Sequence, residues 1–252
     1  YGVELESGAE IKARAVAANV GPKLLYLKMV DGEDLPPDFR ARMQHFSVGS
    51  GVFRMNVALA ELPQFACLKD KADIGDFMTA GIIIAPSIEY MDRAYRDARE
   101  QGWSREPIVE MLISSALDDT LCPKGNHVAS LFCQQFRYDL PGGKSWPLER
   151  DRCADLIIET VTKYAPNFKK SVLGRQVLSP LDLEQKFGLV GGDIFHGRLS
   201  LDQMFSARPL LGYADYRSPI KGLYLCGSGA HPGGGVTGAP GHNAAREILR
   251  DL

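Results

Sequence analysis

The chain has 252 residues, 45% of them hydrophobic and 24% charged, with a net charge of −2 at pH 7. This is ordinary globular composition, and a folded chain of this length buries roughly 70–75% of its extended surface, in one large core or two modest ones. Without a Lys/Arg-rich run, the near-neutral balance gives nucleic acid or an anionic membrane surface no electrostatic hold. The five cysteines, Cys67, Cys122, Cys133, Cys153 and Cys226, are odd in number and none falls in a C-x-x-C. They read as small apolar fillers in a reducing compartment, not as a disulfide framework or a zinc site. The longest apolar stretch, FMTAGIIIAP, is too short to span a bilayer and ends in proline, and no signal-peptide pattern opens the chain. The expectation is a soluble intracellular protein, of cytoplasm or mitochondrial matrix, with no nucleic-acid partner and no integral membrane segment.

The opening YGVELESGAEIKARAVAANVGP starts at Tyr1 inside an alternating pattern. Val3 and Leu5 alternate with Glu4 and Glu6, Ser7-Gly8 forms a turn, and Ile11, Ala13 and Ala15 resume the period of two. This predicts a hairpin, then a small-residue strand ending at Gly21-Pro22. A chain that begins within a strand reads as a fragment of something longer. Residues 40–46 predict a short helix, and VGSGVFRMNVALAEL a strand with a glycine-rich entry. SIEYMDRAYRDAREQG places Ile88, Met91, Tyr95 and Ala98 near helical spacing before a stop at Gly102. Two β-rich runs, 109–114 and 127–138, flank a DDTLCPKGN loop. RDRCADLIIETVTKYAPNF predicts a helix closed by Pro166. SPLDLEQKFG predicts another, with Ser179 as cap, Pro180 at its first position and Gly188 past its end.

Several candidate chemistries fail on spacing. GGKS at 142–145 lacks the earlier glycine of a phosphate loop, since Tyr138 stands there, so a polar turn is preferred. Asp118-Asp119 point different ways and read as turn and cap residues. The five histidines show no H-x-x-x-H, so no metal site is expected. CGSGA has Cys226 and Ala230 where a nucleophile elbow needs glycines around Ser228.

What remains is LYLCGSGAHPGGGVTGAPGHNAAREIL, in which seven of the fifteen residues 227–241 are glycine. Residues 233–238 match G-x-G-x-x-G, but the chain ends fourteen residues later, leaving no room for the rest of a Rossmann unit. A buried strand ending at Cys226 leads into a loop poor in Cβ atoms. Pro240 then suits the first turn of a helix, whose free N–H groups and positive dipole end favour an anion or an electron-rich ring. Ala245, Ile248, Leu249 and Leu252 give that helix an apolar face. The competing explanation is tight helix–strand packing that merely requires glycine.

RSPIKGLYLCGSGAHPGGGVTGAPGHNAA resembles the C-terminal flavin motif of phytoene-desaturase-like FAD-dependent oxidoreductases. Within them, the likeness is to the pyridine nucleotide-disulfide oxidoreductase domain-containing protein 2 group. GVELESGAEIKARAVAANVGP, PIVEMLISSALDDTLCPKGNHVASLFCQQFRYDLPGGKSW and GLVGGDIFHGRLSLDQMFSARP are similar to stretches of that group in the same order. The resemblance implies FAD as cofactor and hydride transfer from a substrate C–H to flavin N5. It also implies an N-terminal half, with the pyrophosphate-binding strand, loop and helix, that this chain lacks. By the same likeness, Gly227, Ser228 and Gly229 end the strand beside the cofactor. Gly234, Gly235, Val236 and Thr237 pass its ring, and the backbone near Ala239 and Pro240 faces its pyrimidine edge. There the helix N–H groups stabilise the reduced anion. His196 and His231 are candidates for the substrate face, with a hydrogen-bonded packing histidine as the competing reading. The apolar strands around 131–136 suit a lipid-like or polyene small-molecule substrate, and suit a buried sheet core better.

The expected fold is mixed α/β: residues 1–22 and 207–252 in an incomplete Rossmann-like FAD-binding domain, and 23–206 in a substrate or cap domain of sheet and helices. The expected function is the C-terminal part of an FAD-dependent oxidoreductase, inactive by itself. A flavin-dependent redox-neutral isomerase and a non-catalytic binding or interaction domain are the alternatives.

Overall fold

The computed structural model describes residues 2–49, 51–71 and 73–252. Tyr1, the start of the expected hairpin, and Ser50, in the glycine-rich entry to the next predicted strand, lie outside them. The hairpin forms as β1 (Gly2–Glu4) and β2 (Glu10–Lys12), and the small-residue strand as β3 (Val16–Ala18). Gly21-Pro22 opens α1 (Pro22–Leu24), which continues into a π-helical turn, Leu25–Met29. Then comes α2 (Pro37–His45), which starts ahead of the predicted helix because a proline is tolerated in a first turn.

β4 (Val52–Leu59), α3 (Gly75–Thr79), β5 (Ile82–Ile84) and α4 (Ile88–Gln101) follow. Ser87 caps α4 by accepting from Tyr90 N, and left-handed Gly102 ends it. Its buried residues are Tyr90, Ala94, Asp97 and Ala98, whereas Ile88, Met91 and Tyr95 are exposed. Hydrogen bonds set this rotation: Tyr90 Oη donates to Pro107 O at 2.9 Å, and Ser104 Oγ donates to Ala94 O at 2.7 Å.

β6 (Trp103–Leu112) and β7 (His127–Phe136) occupy the two β-rich runs. Between them Asp118 caps a short 3-10 turn by accepting from Thr120 N at 2.9 Å. The order closes with α5 (Trp146–Tyr164), α6 (Phe168–Ser171), β8 (Val172–Leu178), α7 (Pro180–Phe187), β9 (Leu223–Leu225) and α8 (Ala239–Asp251). Ser179 and Asp182 cap α7 reciprocally: Asp182 Oδ2 accepts from Ser179 N at 2.9 Å, and Asp182 N donates to Ser179 Oγ at 3.2 Å. No helix among the described residues is long and apolar enough to cross a membrane.

The chain divides into a terminal unit, Tyr1–Ser50 with Glu184–Leu252, and a central unit, Gly51–Leu183. These limits differ from the expected ones at 22/23 and 206/207. The reason is a shared core: Leu25, Tyr26, Phe39, Met43 and Phe46 are buried in one cluster with Leu210, Tyr216, Leu225, Ala230 and Ala244. The segment after β3 therefore packs with the C-terminal segment.

The central unit holds an antiparallel sheet in the order β5-β6-β7-β4-β8. Alternate residues of its strands, among them Phe53, Met55, Val109, Met111, Leu131 and Cys133, form one buried cluster with Ile157 and Val161 of α5. Leu131 and Phe136 thus lie in a core, as the bland reading of that apolar run has it.

In the terminal unit, α8 buries Pro240 and Ala244, while Ala245, Leu249 and Leu252 of the expected apolar face are exposed. Ion pairs turn the helix. Arg217 meets Glu247 at 2.8 Å and Asp251 at 2.9 Å, and Tyr224 Oη donates to Asp251 at 2.8 Å.

Candidate cofactor site

β3 and β9 run parallel with Ala18 opposite Leu225, so their carboxyl ends are level. Cys226 N donates to Ala18 O at 3.1 Å, extending the ladder one step into the loop. β3 turns through residues 19–21 into α1, and β9 through residues 226–238 into α8, each helix having proline in its first turn. Carboxyl ends of adjacent parallel strands, each followed by a helix N-terminus, are where open α/β folds place ligands.

Five of the seven glycines of the run fall into two groups. A Cβ on Gly227 would lie 2.0 Å from Asn19 Oδ1, one on Gly229 2.3 Å from Pro22 Cδ, and one on Gly234 2.4 Å from Phe195 Cδ1. At Gly229 and Gly234 close packing against a ring of the chain itself favours glycine, and at Gly227 a Cβ would have to displace the Asn19 side chain. Gly235 and Gly238 are different: they have positive φ, are exposed, and a Cβ would meet nothing nearer than 3.7 Å at Gly235 and nothing within 4 Å at Gly238. Between them Val236 is fully exposed at φ 56°, an uncommon conformation for a β-branched residue. Thr237 is exposed too, and its Oγ1 accepts from Ala239 N at 3.2 Å, while the N-cap Gly238 offers α8 no side chain. Ser228 and Ala239 are half-buried, and Pro240 is buried.

His196 and His231 are both half-buried, and each has a buried Nδ1 without a hydrogen-bond partner. His196 lines a cleft of about 170 Å³ with Asn19, Lys23, Val48 and Asp193. That is well below the roughly 300–1,000 Å³ of usual ligand pockets, so beside His196 the chain offers a wall and not an enclosure. Burial holds the His196 imidazole below its ordinary pKa; Asp193 opposes this and Arg208 adds to it. The folded value lies below the unfolded value of about 6.5. The unfolded chain therefore takes up this proton first, and stability present above pH 6.5 is lost as pH falls through the folded value. His196→Gln is expected to flatten this acid limb. Urea midpoints at pH 7.5 and 5.5 would test it, equal losses in both proteins counting against the assignment.

Sequence reasoning gives no sign of Arg208, which is fully buried. Its Nε and Nη2 donate to Ser228 O at 3.0 and 2.6 Å, and Nη2 also to Phe195 O at 2.7 Å. The segments carrying the two histidines thus converge on one guanidinium. Asp193, also buried, accepts from Gly49 N at 2.8 Å and from Phe195 N at 2.9 Å.

The fold is a mixed α/β arrangement shared with known oxidoreductases. Over 97% of its length the chain superposes on an oxidoreductase from Methanosarcina mazei, with a TM-score of 0.53 at 14% identity, covering 44% of that protein. Cyclohexylamine oxidase from Brevibacterium oxydans gives a TM-score of 0.51 at 15% identity, over 97% of this chain and 44% of that one. In sequence, the whole chain is 44% identical to pyridine nucleotide-disulfide oxidoreductase domain-containing protein 2 of Rattus norvegicus, matching 44% of that protein. The Mus musculus counterpart is 43% identical with the same coverage. A lycopene-forming phytoene desaturase of Paracoccus is 28% identical over 42% of the chain and 21% of its own length. The likeness expected from the glycine run and the three upstream stretches therefore holds over the full chain. The chain spans under half the length of the curated relatives it matches. No family model matches it.

Proposed function

We propose that this chain is the C-terminal, flavin-side part of an FAD-dependent oxidoreductase. The observation that carries the reading is the parallel pair β3–β9, whose level ends open onto an exposed glycine loop and the N-terminus of α8. So small a parallel pair is unusual, because parallel sheets are normally larger and covered on both faces, and of the described residues only β9 has a further neighbour, the antiparallel bridge from Tyr224 to Arg217. Among the described residues β3 has no second partner strand, and α8 carries the bare apolar residues Leu249 and Leu252. Both features suit a further α/β domain beside this one, holding the rest of the cofactor.

The residues fit a flavin. Gly227, Ser228 and Gly229 would end the strand beside it, Gly234, Gly235, Val236 and Thr237 would hold its ring, and the backbone near Ala239 and Pro240 would face its pyrimidine edge. The positive end of α8 favours negative charge there. Bound FAD would supply the hydride acceptor for oxidation of a substrate C–H. His196 and His231, each with an unpaired buried Nδ1, would line the substrate side. The test is colour: a longer protein that carries this chain with its N-terminal half should be yellow as purified, and this chain alone colourless. A colourless longer protein overturns the flavin reading, and a yellow chain alone overturns the incompleteness of the site.

A further inference from the structure

We propose that Arg208 is a positioning residue that locks the loop of Ser228 and the loop of Phe195 into a single cofactor-facing wall, an assignment that rests on the flavin reading above. A guanidinium has five donors in a planar fork and no acceptor, and burying one without partners is strongly unfavourable. Here it is fully buried, and its donors go to four backbone carbonyls: Ser228, Phe195, Gly197 at 3.4 Å and Gln203 at 3.3 Å. Burial pushes its pKa down, and Asp193 pulls it back up. Gln203 extends the clasp, donating to Ser47 O at 2.9 Å and Arg198 O at 3.2 Å.

Carbonyl acceptors explain why the arrangement orders a loop. Residues 195–203 and 226–238 are almost without regular structure, so few of their carbonyls have ladder partners. A single cation that bonds several of them fixes loops that glycine would otherwise leave free. Gly233 lies against the clasp, where a Cβ would make an ordinary contact of 3.4 Å with Arg208 Nε, and its φ of 108° is what favours glycine there. Lysine cannot replace it, being a point charge without the fork.

The experiment uses the longer, flavin-bearing protein as wild type, Arg208→Lys and Arg208→Gln, with Val57→Ala in the core of the central unit as a destabilised control. Hydrogen exchange of segments 195–199 and 228–235 and the affinity for added FAD are measured well below the unfolding temperature. In both Arg208 variants the two segments should exchange about tenfold faster or more, together, and FAD should bind about tenfold weaker or more. Val57→Ala should change neither. Wild-type affinity in the lysine variant, a change in only one segment, or equal loss of FAD in Val57→Ala would overturn the proposal. Should both variants fail to fold, native-state exchange of the wild type in rising urea decides it. The segments should open with one common free energy, and separate openings overturn the lock. If the wild type holds no flavin, the flavin reading fails, while the exchange result still judges the clasp.

Discussion

Replacing Gly197 by alanine is expected to remove most of the stability of the terminal unit. Gly197 has φ 141°, a region closed to L-residues, and a Cβ there would lie 2.3 Å from Phe46 Cζ and 2.5 Å from Cε1. Phe46 is itself buried with Phe39 and Met43, so moving its ring disturbs that cluster. Strained φ costs roughly 1–3 kcal/mol and overpacking roughly 1–3 kcal/mol more. A loss of about 3 kcal/mol or more is large beside a domain stability of roughly 5–15 kcal/mol. Gly212→Ala supplies the control, since Gly212 also has positive φ (93°) but nothing within 4 Å of its absent Cβ. The urea midpoint of Gly197→Ala should fall well below that of Gly212→Ala. Equal losses would mean that Phe46 yields and that only the backbone resists.

Gly197 also shows where sequence reasoning stops. Elements with a local signature were legible: the hairpin from its alternation, α4 from its stop at Gly102, and α7 from Ser179, Pro180 and Gly188. β8 was not, because Gly174 and Arg175 interrupt a short run with no turn signal, and its pairing with β4 lies far away in sequence. Helix faces were less legible than helices. Ile88, Met91 and Tyr95 look like a buried stripe, yet hydrogen bonds from Tyr90 and Ser104 turn α4 otherwise, and Arg217 does the same to α8. In the candidate site, composition could not separate glycines needed for space from glycines needed for their φ. That distinction depends on Asn19, Pro22 and Phe195, which come from other segments. Arg208 was invisible for a related reason: its partners are backbone carbonyls, which carry no residue identity.

At the exposed tip of the glycine run, two substitutions are expected to act oppositely on folding and alike on flavin. Val236 sits at φ 56° with its side chain fully in solvent, so its conformation costs roughly 1–2 kcal/mol with no burial in this chain to offset it. Val236→Gly removes that strain and adds roughly 0.5–1 kcal/mol of backbone entropy loss, so stability should hold or rise slightly. Gly235→Val places a β-branched residue at φ 125°, where the open surroundings remove any clash but not the strain, and stability should fall. If the tip is shaped by what it touches, both changes spoil it: the first loosens the loop and deletes an apolar contact, and the second bends the loop away. Flavin retention by the longer protein should then drop about tenfold or more in each, a loss of roughly 1.4 kcal/mol of binding. Visible absorbance after gel filtration at limiting FAD measures this, and urea midpoints measure stability on the same samples. Unchanged retention in both would confine the run to the packing that Gly227, Gly229 and Gly234 already explain. A drop in Gly235→Val alone would indicate that the backbone path matters and the valine does not. A drop in both, with stability moving in opposite directions, separates a loop held for its ligand from one held for its fold.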